Sequence, residues 1–271
     1  MTASSLGTAL ITGASSGIGA EYADRLARRG YDLVLVARSE ARLRSLAEKL
    51  QSATGRSMTV VAADLAHPEG LSRVERVLAE NSSMTLFVNN AGTTLKGGLL
   101  ENDMSALSGL IATNVTAPTV LAAAAARAFK ARGAGTIINV ASVLALAPEM
   151  FGGIEGTYSA TKSFLLHLSQ SLNAQLSGSG VHVQAVLPGA TRTEIWAKSA
   201  TPVDALPPEM VMEAGDLVDA ALIGLDSGEV VTIPSLDDVG LWNSHEEGRA
   251  ALFPHLSLRH PAPRFRKAAT A

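Results

Sequence analysis

Short apolar runs rich in Val and Ile alternate along this chain with segments of helical period. "TALIT" (8–12), "DLVLVA" (32–37), "MTVVAA" (58–63), "MTLFVNN" (84–90), "GTIINVAS" (135–142), "VHVQAVLP" (181–188) and "EVVTIP" (229–234) read as strands. Residues 17–30, 39–51, 68–81, 103–131, 157–177 and 216–228 read as helices between them. Gly30 suits a helix C-terminus, Ser39 an N-cap and Pro68 a first turn. Strands that are apolar on both faces, each followed by a helix, specify a doubly wound parallel sheet with helices on both faces. Such sheets take ligands beyond the carboxyl ends of their strands. The residues that follow each strand therefore carry the functional information.

A chain of 271 residues suits one large α/β unit. Domain organisation reads as one sheet domain over 1–235, including an irregular segment at 193–215 suited to capping a substrate. A C-terminal extension, 236–271, holds one short helix near 244–252 and a loosely ordered tail rich in Pro, Arg and Ala. The net charge of −3 gives no reason to expect nucleic acid or an anionic membrane as partner. The absence of Cys excludes disulfides, thiolate metal sites and a cysteine nucleophile. Six histidines show no metal-ligand spacing, so no metal is assigned. The N-terminus lacks the basic and apolar regions of a secretory signal. The most apolar segments, such as "TVLAAAAARAF", read as too short to span a bilayer. A cytoplasmic protein without membrane partner is expected.

The turn after the first strand is "TGASSGIG" (12–19). Gly13 permits a tight turn, and Gly17 and Gly19 permit close approach of ligand and helix. The following helix N-terminus offers free N–H groups to a phosphate. Gly13, Ser15, Ser16, Gly17, Ile18 and Gly19 are the candidate phosphate-facing residues. A P-loop is excluded, because no Gly-Lys-Ser/Thr is present.

The second strand ends in "VARSE". A dinucleotide site that prefers NAD(H) carries an acidic residue there for the ribose 2′-OH; an Arg accommodates a 2′-phosphate. Arg38 stands at that position, so NADP(H) is favoured over NAD(H), with Arg42 either assisting or solvated. After the third strand come Asp64, able to accept from an adenine amino group, and Leu65. After the fourth come Asn90, Ala91 and Gly92. Asn89 and Asn90 suit either a tie between strands or a loop cap, and Gly92 allows close approach to a cofactor.

These motifs, in this order and spacing, resemble the classical short-chain dehydrogenases/reductases. The match runs over about residues 7–193 and includes Asn114, Ser142, Tyr158 with Lys162, and "PGATRT" at 188–193. The resemblance implies a Rossmann-type sheet of about seven parallel strands, a nicotinamide cofactor, and redox chemistry between a carbonyl and a secondary alcohol. Tyr158 and Lys162 at i and i+4 share one helix face. A phenol titrates near 10 unperturbed, and a nearby ammonium favours its phenolate. In the family the equivalent Tyr exchanges the proton with the substrate oxygen, and the Lys also holds the nicotinamide ribose. By the same resemblance, Ser142 polarises the carbonyl and Asn114 holds a water in a proton relay. Alone, Ser142 would serve as a turn cap. Pro188 and Gly189 turn the chain beside the nicotinamide. Thr191 and Thr193 suit its carboxamide and the pyrophosphate, and Thr193 also suits a helix cap.

Two features depart from the family pattern. The segment "LALAPEMFGGIEG" between Ser142 and Tyr158 is long for the family. Its Leu144, Leu146, Met150 and Phe151 suit a pocket for an apolar or aromatic substrate, with Trp196, Met210 and Met212 as cover, or else plain core. The exit "VVTIPSLDDVGLW" lacks the usual Gly-rich end, which weakens any likeness to ketoacyl reductases. The apolar helices 103–131 and 157–177 suit packing against a second copy, so a homodimer or homotetramer is expected. Two other readings stay open: a nicotinamide-bound regulatory protein on this fold, and an isomerase of the sugar-nucleotide epimerase type.

Overall fold

A computed structural model describes residues 6–150, 156–199 and 202–265. Seven parallel strands form one sheet: β1 (Thr8–Thr12), β2 (Asp32–Ala37), β3 (Met58–Ala62), β4 (Met84–Asn89), β5 (Gly135–Val140), β6 (Val181–Val186) and β9 (Val231–Thr232). Their order is β3-β2-β1-β4-β5-β6-β9. The order reverses direction between β1 and β4, which opens a crevice at their carboxyl ends. The last strand is only two residues long, shorter than the apolar run 229–234 implied.

Alternation along each strand builds the two cores. Ala9, Ile11, Leu33, Leu35, Leu86 and Val88 face one side. There they meet α1 (Gly17–Arg29), α2 (Glu40–Thr54) and α7 (Ala214–Asp226) through side chains such as Tyr22, Leu43 and Leu217. Leu10, Val34, Val36, Phe87 and Ile137 face the other, against α3 (Pro68–Glu80) and α5 (Ala117–Arg132) through Val74, Leu78 and Phe129. On that same side of the sheet, Ala185 packs with Leu165 and Leu166 of α6 (Gly156–Gln175). Each such buried Leu, Val or Phe contributes about 1.5–3 kcal/mol.

The expected long helix is three pieces in line: α4 (Met104–Ile111), a π turn (Ala112–Thr116) and α5. Pro118 explains the interruption, because it has no N–H for the Asn114 carbonyl and its ring crowds that carbonyl. The joined run Met104–Arg132 is 29 residues long and largely apolar. By length and composition it could cross a membrane, which corrects the expectation that no apolar segment is long enough. Half of its most apolar stretch is buried inside the protein.

The irregular segment after β6 contains two short strands, β7 (Thr191–Arg192) and β8 (Met212–Glu213), paired in parallel. Between them the described residues form single 3₁₀ turns at 194–198, 203–205 and 208–210. The chain divides into a unit Met1–Pro234 and a unit Ser235–Ala271. The second contains α8 (Val239–Ala251), which starts five residues earlier than the sequence pattern suggested. Asp238 explains the earlier start: its side chain accepts from the Gly240 N–H as an N-cap.

Candidate active site

The Gly-rich turn is held by β1, β2 and β4 together. The Ala14 N–H donates to the Val36 carbonyl at 3.1 Å. Asn90 Nδ2 donates to the Thr12 carbonyl at 2.8 Å, and the Thr12 hydroxyl oxygen accepts from the Asn90 and Ala91 N–H groups. Asn90 therefore ties the crevice together through its side chain, and Asn89 does the same one residue deeper, donating to Asn139 Oδ1 at 3.0 Å. Gly17 has φ +53°, and a side chain there would meet Thr193. A Cβ on Gly19 would overlap the Gly13 carbonyl, so only Gly lets α1 pack this closely on the turn. Ser16 is extended at the N-cap of α1, and its hydroxyl does not cap the helix. The first-turn N–H groups are thus left without a side-chain cap, as anion binding requires. Ile18 packs its side chain on the core, and Ser15 is half-buried.

Arg38 is exposed at the end of β2 and has no ion pair or hydrogen bond among the described residues. Arg42 is not simply solvated: it pairs with Glu194 at 2.7 Å. Asp64 Oδ1 accepts from the Ala66 N–H at 3.0 Å, which fixes its carboxylate at the exit of β3, and the Leu65 side chain is buried in the core.

The second half of the site surrounds Lys162. This lysine is 5% exposed, and its Nζ donates to the Val140 carbonyl at 2.8 Å. The ammonium lies 5.5 Å from the centre of the Tyr158 ring. Burial pushes its pKa down to about 8. A Cβ on Gly92 would lie 3.5 Å from Lys162 Nζ and 3.6 Å from Asn114 Oδ1, so these three residues face one another. Asn114 sits in the π turn. Its Oδ1 accepts from the Thr93 N–H at 2.9 Å; its Nδ2 donates to the Thr93 carbonyl at 2.8 Å and to the Thr161 hydroxyl at 3.1 Å. The Asn114 side chain is thus a clamp on the strand-four exit. Ser142 is buried two residues beyond the end of β5, and its Oγ accepts from the Leu144 N–H at 3.2 Å, so it does cap a turn. That hydroxyl proton stays available to another acceptor.

Pro188 is buried, and its carbonyl accepts from the Val143 N–H at 2.9 Å, which joins the exits of β5 and β6. Gly189 follows, half-buried, and its carbonyl accepts from the Thr191 hydroxyl at 3.0 Å. The Thr193 side chain makes no cap bond to the turn that follows it; its methyl faces Gly17 instead. A small depression beside Tyr158 is lined by Thr94, Leu95, Gly97, Leu107 and Leu110. The sequence reading had not singled these out, because their distance from Tyr158 along the chain hides the contact. Leu144 is buried, whereas Leu146, Met150 and Met210 are exposed; Phe151 lies outside the described residues. Thr93, Thr161 and Asn139 were missed as well. Asn139 left a signal, being a polar residue inside an apolar strand. Among the described residues no cluster of His, Asp and Glu could hold a metal.

A nicotinamide dinucleotide fits these residues. Glycines clear the turn, the Arg38 guanidinium stands at the exit of β2 with no side-chain partner among the described residues, and the buried Lys162 ammonium faces Gly92. Residues 7–204 match the model of the short chain dehydrogenase family. A short-chain dehydrogenase from Sphingobium yanoikuyae, solved in complex with NADPH, is 47% identical and superposes with a TM-score of 0.91 over 96% of this chain and 100% of that one. The bulky-bulky ketone specific alcohol dehydrogenase from Comamonas testosteroni is 44% identical, with a TM-score of 0.87 over 96% and 98% of the two chains. The 3-oxoacyl-(acyl-carrier-protein) reductase of Escherichia coli is 32% identical over 187 residues, 69% of this chain and 74% of its own length.

Proposed function

The chain belongs to the short-chain dehydrogenase family, and from that premise we propose an NADP(H)-dependent oxidoreductase that interconverts a carbonyl compound and its secondary alcohol. The observation that carries the proposal is the buried Lys162 ammonium held beside the Tyr158 ring. When bound, the nicotinamide supplies or accepts the hydride at the carbonyl carbon. Ser142 donates its hydroxyl proton as a hydrogen bond to the carbonyl oxygen and so favours negative charge there. Tyr158 gives the proton that this oxygen takes up on reduction and receives it back on oxidation. Lys162 favours the phenolate through its positive charge. Asn114 holds the strand-four exit against α6 and, with Lys162, lines the route that returns the proton to Tyr158.

The glycines at 13, 17 and 19 with Ser15, Ser16 and Ile18 would cradle the pyrophosphate. Arg38 would pair with the 2′-phosphate, and Asp64 with Leu65 would flank the adenine. Asn90, Ala91, Gly92, Pro188, Gly189, Thr191 and Thr193 would border the nicotinamide half. NADPH in the Sphingobium relative supports the cofactor assignment.

An apolar or aromatic ketone is the proposed substrate. Exposed Leu99, Leu100 and Met104 follow the loop beside Tyr158, and exposed Leu146 and Met150 follow Ser142. The specificity stated for the Comamonas relative agrees with this reading. We further propose a cytoplasmic homodimer or homotetramer, to be checked by cell fractionation and by the mass in solution.

Fluorescence titration with NADPH and NADH, side by side, tests the cofactor. Tighter NADPH binding that Arg38→Ala abolishes is the expected result, and equal binding of the two would overturn it. A ketone panel followed by NADPH absorbance tests the rest. Turnover of bulky aryl ketones is expected, and a clear preference for polyhydroxy ketones would refute the apolar pocket.

A further inference from the structure

Two guanidinium groups stand near the exit of β2, and they are in different states. Arg38 is unpaired among the described residues, whereas Arg42, in the first turn of α2, holds Glu194 at 2.7 Å. Glu194 comes from a segment 152 residues further along. Its neighbour Thr193 rests its methyl against Gly17, so this segment lies over the Gly-rich turn. The Arg42–Glu194 pair fastens the segment to α2. The segment's far end carries Lys198, whose Nζ is 3.5 Å from the Thr93 hydroxyl beyond β4.

Both members of the pair are more than half exposed, 55% for Arg42 and 63% for Glu194. Water screens such a pair, and it opens at little cost. A phosphate monoester carries more charge than a carboxylate and offers a guanidinium two oxygens at once. The exit of β2 is where a doubly wound sheet seats the adenosine ribose. A 2′-phosphate on that ribose would therefore compete with Glu194 for Arg42.

We infer that Arg42 is a cofactor-selectivity residue held in reserve by Glu194, which exchanges the carboxylate for the 2′-phosphate of NADP(H) and has nothing to exchange it for with NAD(H). This rests on the nicotinamide-dinucleotide reading given above. Glu194 then lowers the affinity for NADPH and leaves that for NADH alone. The same exchange, read in reverse, means that NADPH unfastens the segment over the Gly-rich turn.

The test is a binding titration of NADPH and of NADH on the parent protein, Glu194→Gln, Arg42→Ala and the double variant. Glu194→Gln is expected to tighten NADPH by about threefold to fivefold, the size of one exposed ion pair, and to leave NADH unchanged. In the Arg42→Ala background the same substitution should have no effect on NADPH. An equal shift for both cofactors, no shift, or a shift that persists without Arg42 would overturn the inference. A parent protein that binds neither cofactor would overturn this and the cofactor reading together. NADPH binding that needs Arg38 but ignores Glu194 would overturn this inference alone.

Discussion

Lys162 is held beside Tyr158 by the backbone of another element: its Nζ donates to the Val140 carbonyl at 2.8 Å while lying 5.5 Å from the Tyr158 ring centre. One helical turn brings the two residues to the same face. The last residue of β5 then fixes where along that face the charge sits. An unanchored Lys would extend to water.

Tyr158→Phe keeps the ring and removes only the transferable proton. Turnover of a ketone should fall by about 10²–10⁴-fold while NADPH binding stays near that of the parent. Steady-state rates together with a cofactor titration check this, and near-normal turnover would rule out Tyr158 as the proton donor.

The lowered pKa of Lys162 has a consequence for stability. Burial lowers it from its ordinary 10.5 to about 8. Between those values the unfolded chain binds a proton that the folded protein releases, so stability rises with pH across that window. Below about pH 8 the penalty of the buried charge is fully present. The unfolding free energy of the parent minus that of Lys162→Met should therefore grow by roughly 3 kcal/mol from pH 7 to pH 10.5. A flat difference in denaturant unfolding would mean that Lys162 is not desolvated.

Asn114→Ala leaves the Thr93 N–H and carbonyl without the partners they have at 2.9 and 2.8 Å. Each fully buried unsatisfied group costs about 1–3 kcal/mol, and Thr93 is only half-buried, so a loss at the low end, about 2 kcal/mol, is expected in chemical denaturation. The loop that begins at Thr93 also walls the depression beside Tyr158, so KM for the ketone should rise with it. A variant as stable as the parent would show that the clamp is dispensable.

Two glycines should respond in opposite directions. Gly19→Ala drives a methyl into the Gly13 carbonyl and towards Asn90 Nδ2, and should cost about 1–3 kcal/mol along with NADPH affinity. Gly109→Ala lies inside α4 with nothing within 4 Å, and should gain about 0.5–1 kcal/mol. Thermal unfolding of both variants checks the contrast. A neutral Gly19→Ala would show that the turn has room to move.

Much was legible in the sequence because it depends on local period. Strands buried on both faces declare themselves as continuous apolar runs, and the glycines of "TGASSGIG" sit beside one another in the chain. Tyr158 and Lys162 are one helical turn apart, so their shared helix face could be read from spacing, and their joint role from the family resemblance. The break near Pro118 is not legible: 103–131 reads as one helix, because its apolar pattern runs on through the proline.

The chain by itself determined the doubly wound sheet, the Gly-rich turn and the Tyr-Lys pair, because each is written within a few residues. Tertiary structure alone decided what holds them in place. The Val140 carbonyl reaches Lys162 across 22 residues, Asn114 clamps Thr93 across 21 and Thr161 across 47, and Glu194 takes Arg42 across 152. No local period encodes such pairs. They exist because seven parallel strands end at one edge and bring their exits together, where a polar group taken out of water must find its partner in another strand's loop.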